Sequence, residues 1–424
     1  QTITTGFQPD WILTKRYDTT DNWRMYDSVR QNAQPFDEIL YPNLGNAEED
    51  NDTFVTGTTS TGFTLGSGNG SNASGGSYLY MALKQNATLS TEKAKSFNVT
   101  TYTGNGSTNS ITGVGFRPDF VWLKDRDSTN WHTLFDNVRG PAARIHSNSS
   151  NAQDMTGTTS LTSFDSDGFS LGSNANENTN TNDYVAWSWK AGNNWVNNND
   201  GSVSSIVNYN TGNKFSIVRY TGTGSATTVG HGLGTSPTFI IGKTLNSSAK
   251  WRVYHSGLGG AANYLNLNDT FAKGTSSNVW NSTAPTSSVF SVGSDLSPNG
   301  ESMIAYVWAD CDGLSKFGTY TGNGSSSGTV VEPGFSPDFI IVRRHDGTSD
   351  WGMFDSSRSG SYYQKGLKAN TNDSEFAETN INSFCEFLAV GHGDAANGGF
   401  RFRDSGSQYN VSSASYIYIA FKIN

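Results

Sequence analysis

The chain has 424 residues, of which 12% are aromatic and only 15% charged, and its formal net charge is −9. This aromatic content excludes a disordered chain, because so many large rings require burial or a ligand. The acidic balance argues against nucleic acid or an anionic membrane as a partner. No apolar run approaches the roughly 18 residues of a membrane span, so we expect no membrane insertion.

One ten-residue stretch with a central proline occurs four times along the chain. Its copies are Gly6–Lys15, Gly115–Lys124, Gly234–Lys243 and Gly334–Arg343. A period of about 100 residues is the size of a small independent domain. Short β-branched and aromatic runs separated by Gly, Asn and Ser are typical of β-sandwiches. We therefore predict an all-β protein of four tandem antiparallel β-sandwich modules, of the jelly-roll or lectin-like kind.

The recurring stretch and the strands around it place the module boundaries as follows: module 1 at 1–94, module 2 at 95–192, a linker with a possible edge strand at 193–213, module 3 at 214–313, and module 4 at 314–424. The linker is the only long connector and is rich in Asn. It divides the four modules into two halves, 1–192 and 214–424. We find no convincing helix.

Each module repeats the same order of elements. The proline-centred strand and a second strand that begins at a tryptophan form a hairpin across a polar turn. The closing strand, such as Tyr184–Lys190, is apolar on both faces. A strand of this kind is expected at the centre of a sheet, with layers packed on both sides.

Module 1 lacks the opening strand of the other modules. Modules 2, 3 and 4 open with a strand that ends in Tyr-Thr-Gly, at Phe97–Gly104, Phe215–Gly222 and Phe317–Gly322. Module 1 begins after that point, and there is no initiator Met, so we expect the sequence to be part of a longer one. The missing strand predicts an unpaired sheet edge. We expect preceding sequence or another subunit to cover it, and the protein to form a homo-oligomer.

The tryptophan of the second strand recurs at Trp23, Trp131, Trp251 and Trp351. One interpretation is a stacking platform for a sugar ring. The other is a core anchor, in phase with Met25, Thr133, Val253 and Met353 on one strand face. The large area that aromatic side chains bury favours the core anchor.

An acidic residue follows this strand at Asp27, Asp136 and Asp355, with an arginine three residues later at Arg30, Arg139 and Arg358. Module 3 has His255 and Leu258 instead. These carboxylates could act on a glycan or form local ion pairs that cap a turn. A glycosidase needs two carboxylates, so the ion pair is the preferred interpretation.

The remaining candidates for metal or redox chemistry are weak. Asp165–Gly168 matches part of a calcium loop, but a tight turn explains it better. Cys311 and Cys385 lie in different modules and are predicted to be buried thiols. The six histidines show no metal-ligand spacing. We therefore predict that the protein is not an enzyme, with no catalytic, cofactor-binding or metal residues and no cofactor, and leave ligand-binding residues unassigned.

Several phrases resemble a repeated module of tailed-phage structural proteins, common in marine phages and cyanophages. They include Gly115–Lys124, Phe215–Gly224, Val229–Gly234, Trp251–Ser256 and Tyr184–Gly192. The resemblance covers nearly the whole chain. It implies a virion-surface, extracellular protein, in a tail fibre or another appendage, with other virion proteins as partners. It carries over no catalytic residue.

From these observations we predict a structural virion-surface protein, in a tail fibre or appendage, that mediates attachment to host cell-surface glycan. Polar loops on a rigid β scaffold suit weak, multivalent sugar recognition. The alternative is a purely structural protein of head decoration or of a shaft. A carbohydrate-active enzyme is the least favoured possibility, because the repeats offer no carboxylate pair in register.

Overall fold

Alternating β-branched and aromatic residues form short strands that Gly, Asn and Ser interrupt, and the protein is all-β and antiparallel. The computed structural model describes residues 1–28, 30, 38–50, 53–84, 95–192, 194–358, 365–377, 385–403 and 408–424. Within these residues the helices are three of four residues each and one short 3-10 helix. None of them has the length and apolar character needed to cross a membrane.

The elements of module 1 are β1 (Thr2–Thr4), β2 (Trp11–Arg16), β3 (Trp23–Asp27), β4 (Glu38–Ile39), β5 (Glu49–Asp50), β6 (Val55–Thr59), β7 (Gly62–Leu65), α1 (Asn69–Asn72) and β8 (Tyr78–Leu83). Those of module 2 are β9 (Phe97–Thr103), β10 (Asn109–Ile111), β11 (Phe120–Asp125), β12 (Thr133–Asp136), β13 (Ala143–Arg144), β14 (Asp154–Met155), β15 (Leu161–Asp165), β16 (Gly168–Leu171), α2 (Ala175–Asn178) and β17 (Asp183–Trp189).

Module 3 and the segment before it contain β18 (Val196–Asn198), β19 (Ser205–Asn210), β20 (Phe215–Thr221), β21 (Thr227–Gly230), β22 (Phe239–Thr244), β23 (Arg252–His255), the 3-10 helix (Ser256–Leu258), β24 (Asn263–Asn266), β25 (Gly274–Thr275), α3 (Ser277–Trp280), β26 (Val289–Val292) and β27 (Ser302–Trp308). Module 4 contains β28 (Ser315–Thr321), β29 (Phe339–Arg344), β30 (Gly352–Asp355), β31 (Lys365–Lys368), β32 (Phe376–Ala377), β33 (Cys385–His392), β34 (Ala395–Phe402) and β35 (Ser415–Phe421).

Each of modules 2 to 4 is a sandwich of one large and one small sheet. In module 2 the large sheet has the order β12-β11-β17-β9, and the small one β10-β16-β15. The closing strand β17 lies between the proline-centred strand and the opening strand, and its counterparts β27 and β35 do the same. This central position explains why the closing strand is apolar on both faces. In the segment 193–213, β18 and β19 extend the large sheet of module 3.

The large sheets of modules 2 to 4 share one core. One face of each packs on its own small sheet, and the opposite faces, here called the inner faces, join in a single cluster. At its centre the rings of Trp189, Trp308 and Phe421 lie 5.6–6.4 Å apart, pair by pair. These residues occupy equivalent places, since each pairs with the first residue of its module's proline-centred strand. Modules 2 to 4 therefore pack around a pseudo-threefold axis.

Equivalent hydrogen bonds close the ring of three modules. They join Trp251 Nε1 to the His146 carbonyl (2.7 Å), Trp351 Nε1 to the Asn266 carbonyl (2.9 Å), and His132 Nε2 to the Lys368 carbonyl (3.0 Å). In each case an inner-face ring donates to a carbonyl of the neighbouring module. Each module thus contacts both others, as three subunits of a cyclic trimer do.

The chain consequently divides near residue 92 and not at the linker 193–213. The compact units are residues 1–92, which we call unit 1, and residues 93–424, which we call unit 2. The expected halves, 1–192 and 214–424, would cut through the shared core. Composition identified the long connector, but burial decides which modules belong together. Residues 85–94, at the expected boundary between modules 1 and 2, lie outside the described residues.

Unit 1 is a smaller sandwich of the sheets β3-β2-β8 and β1-β7-β6, with the pair β4-β5 beside them. Its own core is formed by Ile12, Tyr26, Ile39, Val55 and Phe63 with Tyr41. The closing strand β8 pairs with β2 alone within the described residues. Its other edge is where β9, β20 and β28 pair in the other modules, so the described part of module 1 leaves that edge unpaired.

Candidate functional site

The repeated tryptophans do not all occupy the same environment. Trp251 and Trp351 are fully buried in the shared core, which confirms them as core anchors. Trp23 is only partly buried on its sheet face. Trp131 lies outside the core, and His132 takes the inner-face place that tryptophan holds in modules 3 and 4.

Strand register explains the exception. Thr133 pairs with Leu123, and Leu134 pairs with Trp122, as Val253 pairs with Ile241 in module 3. Side chains alternate along a strand, so the inner-face residue before Leu134 is His132. Thr133 lies on the opposite face, so the interpretation of Trp131 as a core anchor in phase with Thr133 is wrong. The sequence carries the signal: five positions separate Trp131 from the following Asp136, whereas four separate the tryptophan from its acid in modules 1 and 4.

Because Trp131 is not packed in the shared core, its side chain forms one wall of a cleft of about 350 Å³. Its indole contacts the His146 ring edge to face, with the ring centroids 4.8 Å apart. Residues from four segments complete the lining: Thr129, Asn130, Arg144, Asn151, Ala152, Asp154 and Asn176. An aromatic wall with a few converging polar groups is the usual composition of a small-ligand site.

Module 3 holds one side of this cleft in place. The segment at 149–153 approaches module 3, where the Ser150 carbonyl accepts bonds from Lys243 Nζ and the Ala249 backbone. The Gln153 backbone also donates to the Leu245 carbonyl. Burial lowers the pKa of Lys243 to about 8. The cleft is therefore fixed by the packing of two modules rather than by a free loop.

The polar groups of the cleft have defined hydrogen-bonding roles. His146 Nδ1 lies 2.9 Å from the His132 carbonyl. A carbonyl only accepts, so Nδ1 carries the proton and Nε2 is an acceptor. Burial lowers the pKa of His146 to about 4, so the ring is neutral at neutral pH. The Asp154 carboxylate, about half exposed, accepts from Arg144 and lies 4.0 Å from His146 Nε2. The cleft thus presents acceptors suited to hydroxyl groups.

A second carboxylate lies behind the cleft but does not open into it. Glu177 is fully buried and accepts from Arg144 Nη1 at 3.0 Å. Burial raises its pKa, and the Arg144 guanidinium opposes that rise. Asp154 is the only carboxylate that lines the cleft among the described residues. A two-carboxylate hydrolysis requires both groups to reach the substrate, so this geometry suits binding rather than cleavage.

The acid–arginine pairs are local ion pairs, as predicted, and two of them also bridge modules. Arg30 binds Asp27 at 2.6 Å, Arg139 binds Asp136 at 2.5 Å, and Arg358 binds Asp355 at 2.7 Å. Asp136 also accepts from Tyr306 of module 3, and Asp355 from Trp187 of module 2. In module 3, His255 Nε2 faces the Tyr418 carbonyl of module 4 instead, at 3.3 Å, and Leu258 is buried.

The other candidates have structural roles within the described residues. Asp165 and Gly168 flank a tight turn between β15 and β16, in which Asp167 accepts from the Gly113 and Gly115 backbones. Cys311 and Cys385 are buried thiols, as predicted. Across the described ranges, no group of three or more His, Cys, Asp or Glu side chains gathers as metal ligands would.

Trp131 was a candidate sugar platform from its recurrence in the sequence, whereas Arg144, Asp154 and Asn176 were not predicted. These residues are distant in sequence, and only the fold brings them together. A comparison with curated proteins finds no match to this chain. A family model matches residues 1–86 and 92–424, and the chain therefore belongs to the family described as a domain of unknown function, DUF7483.

Proposed function

We propose that this protein is a structural component of the surface of a tailed-phage particle, in a tail fibre or another appendage, and that it attaches to host-surface glycan through the Trp131 cleft. The resemblance of the repeated phrases to tailed-phage structural modules supports the location. The composition of the cleft supports the ligand class.

The observation that carries the glycan assignment is the exclusion of Trp131 from the core. A partly exposed indole offers a flat apolar face to the C–H groups of a sugar ring. Asp154 and the Nε2 atom of His146 lie beside it to accept bonds from sugar hydroxyls. A single cleft of this size binds weakly, and several copies on one appendage would supply avidity.

A purely structural role, in head decoration or a shaft, is the second candidate. It is favoured by the burial of Trp251 and Trp351, because two of the four repeated tryptophans are unavailable to any ligand. It requires that the Trp131 cleft bind no glycan and that the contacts of the chain be made to other virion proteins.

One experiment distinguishes the two candidate functions. The full chain, displayed multivalently on beads, is tested on a glycan array that includes bacterial surface polysaccharides. We expect binding that Trp131→Ala reduces at least tenfold. The control is Trp195→Ala, which removes another exposed tryptophan of unit 2 outside the cleft. A blank array for the wild type, or equal binding by Trp131→Ala and wild type, would overturn the glycan assignment and leave the structural role.

A further inference from the structure

Module 1 carries the same inner face that the other three modules bury in their shared core. We define this face by Trp11, Leu13, Trp23, Met25, Leu79, Met81 and Leu83. Strand pairing gives the equivalence: Leu83 pairs with Trp11, as Trp189 pairs with Phe120 and Trp308 with Phe239. Leu83 therefore occupies the position that Trp189, Trp308 and Phe421 occupy at the pseudo-threefold axis of unit 2.

Within the described residues of unit 1, no element covers this face. Leu79, Met81 and Leu83 are 53%, 49% and 51% exposed, whereas their nine counterparts on β17, β27 and β35 are at most 3% exposed. An apolar cleft of about 450 Å³ lies between Trp11, Leu13, Trp23, Met25, Pro42 and Asn43 on the same face. Soluble proteins rarely leave such contiguous apolar surface without a partner.

The packing of unit 2 indicates what kind of surface covers an inner face. There, each inner face is covered by two others, and the ring of three is closed. No inner face of modules 2 to 4 is left over to cover module 1. We propose that the inner face of module 1 binds the same face of module 1 in two further copies of this chain, so that the protein is a homotrimer.

The equivalence also assigns individual contacts. Trp23 corresponds to Trp251, and the hydrogen bond from its backbone N–H to Asn43 matches that of Trp251 to Asn268, both at 3.0 Å. The residue two before Asn43 is Tyr41, which corresponds to His146, the acceptor of the Trp251 indole. In the trimer, Trp23 Nε1 donates to the carbonyl of Tyr41 of the partner subunit, and three Leu83 side chains meet on the axis.

A further exposed ring agrees with this arrangement. Tyr17 is 67% exposed and follows β2 at the position where Leu245 follows β22. Leu245 is buried where module 3 meets module 2, with its carbonyl bonded to the Gln153 backbone. Tyr17 thus lies at the rim of the proposed interface. This inference is independent of the proposed glycan site, because it uses only unit 1 and the packing of modules 2 to 4.

Sedimentation equilibrium of the full chain tests the proposal. We expect a mass three times that of the 45.7 kDa chain, and expect Met81→Asp to reduce it to one chain, since three carboxylates would be brought into an apolar interface. The matched control is Met155→Asp, which changes an exposed methionine of module 2 and should remain a trimer. A wild-type mass of one or two chains, or a trimeric Met81→Asp, would overturn the proposal.

A crosslinking experiment keeps the test independent of any folding defect in Met81→Asp. Leu83→Cys, treated with a short bis-maleimide, should give covalently joined chains, because the three copies of this residue meet on the axis. Met155→Cys should give only single chains. The native Cys311 and Cys385 are buried and set the background. Equal crosslinking of the two variants would contradict the arrangement.

Discussion

The ion pair of Asp136 and Arg139 offers a direct test of how strongly the three-module core depends on its buried charges. Arg139 Nε donates to Asp136 Oδ2 at 2.5 Å, and the Tyr306 hydroxyl donates to the same oxygen at 2.7 Å. The two charged side chains are 0% and 1% exposed. Asp136→Asn keeps the shape of the side chain but leaves the Arg139 guanidinium without a carboxylate partner among the described residues.

The size of the effect follows from this burial. Removing one partner of a buried pair leaves an uncompensated charge and costs about 3–5 kcal/mol. The control is Asp295→Asn, because the Arg252–Asp295 pair has a similar length, 2.7 Å, but side chains that are 20% and 33% exposed. A pair of that kind contributes about 0.2–1 kcal/mol. The same chemical change should thus have a several-fold larger effect at Asp136.

Urea unfolding followed by tryptophan fluorescence measures both costs, since most of the eleven tryptophans lie in unit 2. The midpoint should fall for Asp136→Asn with little change in slope. The double variant Asp136→Asn/Arg139→Met should be more stable than the single one, because it removes the unpaired cation. If Asp136→Asn costs no more than Asp295→Asn, burial does not decide the contribution of this pair and the reasoning fails.

Two further predictions concern the packing of two equivalent tryptophans and the titration of a buried histidine. Trp251→Ala should destabilise unit 2 by about 3–5 kcal/mol, because it leaves a cavity in the core. Trp131→Ala should cost about 1 kcal/mol or less, because its ring lies outside the core. Equal shifts in the urea midpoint would contradict the assigned register. Burial lowers the pKa of His255 to about 4, below its ordinary 6.5, so the unfolded chain binds the proton first as the pH falls. The contribution of His255 to stability should therefore be full above about pH 6.5 and decline towards pH 4, by about 3 kcal/mol in total. Between pH 7 and pH 4.5, the free energy of unfolding should fall less in His255→Gln than in the wild type. An equal fall in both proteins would show that the ring does not titrate in this way.

The candidate site was only partly accessible from the sequence. The spacing between Trp131 and Asp136 differs from that of modules 1 and 4, and alternation along the strand turns that difference into a change of face. The sequence could not indicate that Arg144, Asp154 and Asn176 converge on the same ring. Those positions meet through the packing of α2 and the segment at 149–153, which depends on contacts with module 3.

The sequence by itself determined the all-β class, the four modules and the difference between module 1 and the other three. These features depend on local patterns: strand periodicity, a recurring proline, and turn residues between apolar runs. Only the tertiary structure decided which modules belong together. The closing strands are apolar on both faces in all four modules, but the pattern is the same whether the second face meets a neighbouring module or remains uncovered. Unit 2 buries that face around Trp189, Trp308 and Phe421, whereas module 1 leaves it exposed at Leu83, because partners in space, not neighbours in sequence, determine burial.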